Sequence, residues 1–275
     1  MLKQFFSLLV CVFLFGCIDA TILEVRSLQE VEEVLFESST STLVAWDSDD
    51  TLHVAKDAIL QPANHDIFRM LAYKYKQNLA PGVYEKLVSI LLTKREIRLV
   101  ESHTARIIHS LQHKGVPNIV LTAMHTGPCG SIPSMEEWRF NELKKLGLNF
   151  TQAYPDVPHL SFEKEFSRYE NTPKFYHGIL CSSEVPKGKV LVAFFHRTGW
   201  FPNKVIFFDD KFENIESVNQ EMEALGIDVL ACHYVVTAHV SDVVDINVAK
   251  LQVKHLNEND EWLSDGEATL IIGNQ

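Results

Sequence analysis

The sequence predicts an α/β protein with a parallel sheet covered on both faces, and three observations carry that expectation. Short apolar runs at 43–46 (LVAW), 119–121 (IVL) and 205–208 (VIFF) each lead abruptly into acids or a hydroxyl. Runs of that length read as strands buried on both faces. Stretches with helical spacing lie between them, and strands alternating with helices give a three-layer parallel arrangement. The chain has 275 residues, enough for one such domain with a modest insertion. Its hydrophobic fraction of 46% and charged fraction of 22% are those of an ordinary globular protein.

In chain order, residues 1–20 read as a signal peptide. Lys3 supplies the positive start, and residues 5–15 form an apolar run too short to span a membrane comfortably. Ile18-Asp19-Ala20 places a cut before Thr21. One alternative treats Leu14-Phe15-Gly16-Cys17 as a lipoprotein signal with lipid on Cys17, which would be the sole membrane attachment; another is an uncleaved anchor. All three imply an exported protein, periplasmic or secreted, and the pattern is bacterial in style.

Ser27 and Glu30 form a capping box ahead of a helix with Val31, Val34 and Leu35 on one face. The first strand follows and ends in Asp47, Asp49 and Asp50. Carboxylates this close repel, and a hard divalent ion with oxygen ligands, Mg²⁺, relieves the repulsion. The plainer alternative is an acidic turn. Residues 53–101 read as a helical insertion, with Ile67, Met70 and Leu71, then Leu87, Ile90 and Leu91, at helical spacing. Residues 102–114 form an amphipathic helix ended by Gly115. The second strand ends at Thr122, and the Gly/Pro/Ser loop after it offers His125 as a substrate contact.

Residues 136–146 are helical. Residues 151–183, rich in Pro and aromatics, read as a small second insertion ending in a strand over 174–181. Lys187 opens a helix, and the third strand ends in Asp209 and Asp210. A helix over 215–225 and a strand over 227–236 follow. Beyond Val243 the sequence predicts one helix packed on the sheet, with 258–275 a polar tail. The core is then 21–52 plus 102–257.

The run of apolar residues into Asp47-x-Asp49-x-Thr51 resembles the first motif of the haloacid-dehalogenase-like (HAD) hydrolases. Thr122, Lys187-Gly188 and Asp209-Asp210 resemble the other three, in order, and the resemblance spans about 43–231. It implies a Rossmann-like sheet and makes 53–101 a cap that shields the site. It implies Asp47 as the nucleophile that forms an aspartyl-phosphate. Asp49 becomes the acid that protonates the leaving oxygen and the base that activates water. Thr122 and Lys187 bind the phosphoryl group, and Asp47, Asp49, Asp209 and Asp210 hold Mg²⁺. Lys189 and Lys204 compete for the lysine's place, and Asp50 has no counterpart.

Formal net charge is −11 with no basic cluster, which argues against a nucleic-acid partner. Beyond the leader, Cys129, Cys181 and Cys232 allow one bridge, with Cys129 and Cys181 in loop-like contexts. The function expected is an exported Mg²⁺-dependent phosphatase for a small phosphorylated metabolite. The alternatives are a binding or scaffold protein on the same fold, and a phosphoryl-transferring mutase.

Overall fold

The computed structural model describes residues 21–274 other than residue 78. The signal-peptide and Cys17 expectations lie outside those residues. In chain order the elements are β1 (Thr21–Val25), α1 (Glu32–Glu37), β2 (Thr42–Trp46), β3 (His53–Ala55), α2 (His65–Lys76), α3 (Val83–Lys94), β4 (Ile97–Leu99), α4 (Thr104–His113), β5 (Asn118–Thr122) and α5 (Met135–Lys145). There follow β6 (His159–Ser161), β7 (Lys174–Tyr176), β8 (Ile179–Cys181), α6 (Lys187–Thr198), β9 (Lys204–Asp209), α7 (Phe212–Leu225), β10 (Asp228–Tyr234), α8 (Val236–Val240), α9 (Ile246–Asn259) and α10 (Asp265–Gly273).

Eight strands form one sheet in the order β1-β10-β9-β2-β5-β8-β7-β6. Every pairing is parallel except the two that β7 makes. The fold is therefore α/β with a mostly parallel central sheet. Successive strand residues face opposite sides. Val44, Trp46, Ile206 and Phe208 pack with Ile107, Ile108 and Leu111 of α4. Leu43, Ala45, Val205 and Phe207 pack instead with Val190, Leu191 and Phe194 of α6 and with Ile215, Val218 and Met222 of α7. Each such side chain contributes roughly 1.5–3 kcal/mol by leaving water. Because β2, β5 and β9 run parallel, their carboxyl ends share one edge, where Asp47, Thr122 and Asp209 lie.

The structure departs from the sequence expectations in four places. A further strand, β1, pairs with β10 at the sheet edge. Ser27 accepts from the Gln29 N–H rather than from Glu30, and Glu30 accepts from the Arg26 N–H, so residues 28–31 form a 3-10 turn without the capping box. Residues 151–183 are not separate from the core. Their strands extend the main sheet, and Phe162, Phe175, Ile179 and Leu180 are buried in its two apolar layers. Their Pro and aromatic content builds a sheet edge with a hairpin turning on His177 and Gly178, both at positive φ.

The fourth departure is the C-terminal segment. It holds two helices, α9 and α10, and α9 packs on α2 and α3 rather than on the sheet. Ala249, Leu256 and Trp262 share an apolar cluster with Ile59 and Leu87 of the insertion. The Trp262 indole donates to Asp57 at 2.8 Å, and the Asp265 carboxylate accepts from the Ala58 N–H at 2.8 Å. The apolar stripe of α9 matches the insertion's unpartnered face, which sequence periodicity alone cannot assign. The insertion itself is framed by the antiparallel pair β3–β4, three residues each and too short for a periodic signal.

Candidate active site

Trp46 and Phe208 stack with ring centroids 4.4 Å apart, which fixes the ends of β2 and β9 side by side. The Asp47 N–H donates to the Phe208 carbonyl at 2.8 Å. Asp47 and Asp209 are thereby neighbours, and Lys187 joins them. Its Nζ donates to Asp47 Oδ1 at 2.5 Å and to Asp209 Oδ2 at 2.6 Å. Lys187 is 1% exposed. It gets there because α6 touches α7 at Gly188, where a Cβ would fall 2.1 Å from the Ser217 carbonyl oxygen.

Asp209 Oδ1 accepts from the Lys211 N–H at 2.9 Å and from Asn214 Nδ2 at 3.0 Å. Asp210 Oδ1 is buried and has no partner among the described residues. Ligand atoms of Asp47, Asp209 and Asp210 all lie within 4.8 Å of one another. Burial pushes the Asp47 carboxyl up to about 7, with Lys187 opposing and Asp209 adding to the rise. Burial, then Asp47 and Asp209, push Asp210 up to about 8. Burial alone would lower the Lys187 ammonium, but Asp209 and Asp47 outweigh it and hold it charged.

A second charged cluster begins two residues on. Asp49 Oδ2 accepts from Arg139 at 2.6 Å, and its Oδ1 lies 3.3 Å from Arg95 Nη2. Arg139 also donates to Glu142 at 2.6 Å and to His53 Nε2 at 2.5 Å. Arg95 Nη2 reaches Glu142 at 3.4 Å. Burial would raise the Asp49 carboxyl, but the guanidinium of Arg139, followed by other nearby charges including Arg95, holds it well below the usual carboxylate range. Burial, with Arg139, pushes His53 down to about 3, so its imidazole is neutral.

Both clusters face one cavity of about 390 Å³, lined among others by Asp47, Asp49, Arg95, Thr122, Arg139 and Lys187. Thr122 Oγ1 accepts from the Met124 N–H at 3.3 Å. The loop after β5 seats on α3, where Gly130 passes so close that a Cβ would fall 2.3 Å from Ser89 Oγ. His125 is exposed and does not line the cavity. Asp50, half-buried, lines it; burial and then Asp49 and Asp47 push its carboxyl up to about 7. Lys189 is exposed, and Lys204 pairs with Asp228 at 3.2 Å. Cys129, Cys181 and Cys232 are all free thiols.

Thus Asp47, Lys187, Asp209 and Asp210 come together, and Thr122 and Asp49 line the same cavity as Asp47. Asp49, expected among the metal ligands, stands outside the acid group because Arg139 and Arg95 take its oxygens. Sequence reasoning missed Arg95, Arg139, Glu142 and Asn214. A signal for two of these existed. Met135, Arg139, Glu142 and Leu143 share the buried face of α5, and a charged pair on such a face predicts an internal ion pair. Arg95 and Asn214 give no local signal.

The chain is similar in sequence to a group of bacterial proteins. An uncharacterized protein of Rickettsia prowazekii is 22% identical over 242 residues, 88% of this chain and 87% of its own length. An uncharacterized protein of Rickettsia bellii is 23% identical over 242 residues, 84% of this chain and 82% of its own. A Chlamydia muridarum protein named "Putative outer membrane protein" is 22% identical over 234 residues, 84% of this chain and 83% of its own. Among the described residues, no helix is long and apolar enough to cross a membrane. No solved structure matches. A family model matches residues 24–269, and the chain therefore belongs to the family described as "Protein of unknown function (DUF2608)".

Proposed function

We propose that the protein is a Mg²⁺-dependent phosphatase that hydrolyses a small phosphomonoester through an aspartyl-phosphate on Asp47. The observation that carries this reading is the group Asp47, Asp209 and Asp210, gathered within 4.8 Å beside the buried Lys187 ammonium. The four-motif resemblance to HAD hydrolases, which also suggests the Rossmann-like version of the sheet, points the same way.

The donor set fits a hard cation. It offers only carboxylate oxygens, it carries more acid than its one lysine balances, and Asp210 Oδ1 is buried without a partner among the described residues. Asp47, Asp209 and Asp210 would hold the ion. When bound, Mg²⁺ would screen the carboxylates and the phosphoryl oxygens from each other. The remaining work falls to the chain. Lys187 engages Asp47 Oδ1 and so orients the carboxylate. A carboxylate oxygen attacks phosphorus, the ester oxygen leaves with its electron pair, and the phosphoryl group rests on Asp47. Water then attacks that phosphorus, gives up a proton, and phosphate departs, returning the carboxylate.

Asp49 enters this sequence ionised. Both of its oxygens face guanidinium groups, which favour the ionised form. Asp49 can begin as the base that accepts the proton of attacking water, and in either half the proton it carries is opposed by the same two cations. Thr122, at the end of β5, is placed to donate its hydroxyl proton to a phosphoryl oxygen.

The test is a phosphomonoester panel on the purified mature protein, with Mg²⁺ and with EDTA. Hydrolysis that needs Mg²⁺ is expected; full turnover in EDTA, or no turnover on any member, rejects the reading. The same reading includes export, supported by the apolar leader and by the printed name of the Chlamydia relative. Intact mass of protein from exported fractions should show a start near Thr21 or a lipid on Cys17. A cytoplasmic protein retaining Met1 would reject export.

A further inference from the structure

The two arginines of the second cluster are not equivalent. Arg139 is 2% exposed and makes three contacts of 2.5–2.6 Å, to Asp49, Glu142 and His53. It takes one oxygen of each carboxylate, Asp49 Oδ2 and Glu142 Oε2. Arg95 approaches the same two carboxylates through Nη2 alone, at 3.3 and 3.4 Å. Charge-assisted hydrogen bonds are normally about 2.7–2.9 Å. Arg95 Nε, like Arg139 Nε, is buried without an acceptor among the described residues, and the Arg95 side chain is 12% exposed, so what sets Arg95 apart is its long contacts. A guanidinium held this far from water and this loosely paired is costly unless another anion joins it.

Its origin adds to the argument. Arg95 caps α3, so the helical insertion delivers it, and it lines the cavity that also holds Asp47 and Lys187. Two of the three Lys187 donors are already taken by Asp47 and Asp209. The planar fork of Arg95 suits a bidentate oxyanion.

We infer that Arg95 binds a second oxyanion of the substrate, so that the substrate is a small phosphomonoester carrying a carboxylate or a second phosphate. This rests on the phosphatase reading above. It assigns to the insertion a chemical preference as well as a shield. In the absence of substrate, Asp49 and Glu142 serve as loose partners for Arg95.

The experiment is calorimetry at constant free Mg²⁺ with three probes: ethylphosphonate, phosphonoacetate and ethane-1,2-bisphosphonate. The first lacks a second oxyanion, the second adds a carboxylate and the third a phosphonate. At least one of the latter two should bind about 10- to 100-fold more tightly than ethylphosphonate, as a charge-assisted pair would give. Which of them gains identifies the oxyanion. Arg95→Met should erase the gain, read as the ratio to ethylphosphonate in the same variant, and Arg95→Lys should keep part of it. Should Arg95→Met fail to fold by circular dichroism, Arg95→Lys decides.

Equal affinity for all three probes, or a gain that survives Arg95→Met, overturns the inference. So does a loss of kcat that is the same for every phosphomonoester, since that is what mere support of Asp49 would produce. If ethylphosphonate binds and phosphomonoesters turn over but no gain appears, this inference falls and the phosphatase reading stands. If nothing binds and nothing turns over, both fall.

Discussion

Two charged clusters share one cavity, and their bookkeeping differs. The first sets Asp47, Asp209 and Asp210 against one buried ammonium, Lys187. It leaves Asp210 Oδ1 without a partner among the described residues and pushes Asp47 and Asp210 up to about 7 and about 8. The second sets Asp49 and Glu142 against Arg95 and Arg139, with contacts down to 2.6 Å. Buried charge is tolerated when paired and hydrogen-bonded, and costly when not. The second cluster balances its own charge, although Arg95 stays loosely paired within it. The unbalanced one carries more acid than its one lysine offsets, which is why the proposed reading seats a cation there.

The sharpest way to break this contrast is to change the nucleophile. Asp47→Asn removes one acid from the unbalanced cluster, so the fold should survive while turnover falls on the order of 10⁴–10⁶-fold. No phosphoryl group should transfer to that protein. Asp49→Asn retains the nucleophile, and with an activated aryl phosphate its first step should proceed while its second stalls. Rapid quench with borohydride trapping and mass spectrometry should place label on Asp47 in the Asp49→Asn protein and none in Asp47→Asn. A normal steady state in Asp47→Asn would show that the unbalanced cluster is not where phosphoryl transfer occurs.

The next effect belongs to the balanced cluster. Arg139→Met strands Asp49 and Glu142 with the loosely held Arg95, and should destabilise the protein by about 3–5 kcal/mol. Asp210→Asn, measured by the same urea titration in EDTA, should be neutral or stabilising, because it removes a repelling carboxylate. Similar losses in both variants would erase the distinction between the clusters.

pH and metal should separate the clusters again, by about 1–3 kcal/mol. Asp47 and Asp210 titrate higher in the folded protein than their ordinary value of 3.8. The folded state therefore keeps protons that the unfolded chain releases. That contribution is complete below about pH 4 and is lost as pH rises through 7 and 8. In EDTA the protein should thus be less stable at pH 8 than at pH 5. Mg²⁺ at 100 times its pH 8 dissociation constant should restore about 2.7 kcal/mol at pH 8, and the same concentration should restore less at pH 5, because the ion takes the ionised carboxylates. Asp210→Asn should shrink both effects, and a thermal midpoint indifferent to pH and Mg²⁺ would contradict the assignment.

The same contrast explains what the sequence discloses. Asp47, Thr122, Lys187, Asp209 and Asp210 each stand at a strand end or helix start, so apolar runs point directly at them. Arg95 and Arg139 meet Asp49 across 46 and 90 residues, and no local spacing records that meeting. Likewise α9 has a plain apolar stripe, but a stripe does not name its partner. It lies on α2 and α3 because Ile59 and Leu87 give Leu256 and Trp262 an apolar surface there. Strands of three residues, such as β6 and β7, carry too few positions to show a period of two.

The smallest expected effect concerns the lysine that rivals Lys187 in sequence. Lys204 opens β9 and Asp209 closes it, five residues on. At about 3.3 Å per residue, roughly 16 Å separates them, far beyond the reach of a lysine side chain to the phosphoryl site. Lys204 pairs instead with Asp228, and the two side chains are 35% and 46% exposed. Exposed pairs of this kind contribute about 0–1 kcal/mol. Lys204→Ala should therefore shift the urea midpoint by less than that and leave kcat and the Mg²⁺ requirement unchanged. Lys187→Ala, by contrast, leaves Asp47 and Asp209 facing each other without their shared cation, and should lose both turnover and stability. The comparison is read from kcat in the two variants at equal folded fraction. A dead Lys204→Ala beside an active Lys187→Ala would move the phosphoryl site to the opposite edge of the sheet and overturn the assignment of the unbalanced cluster.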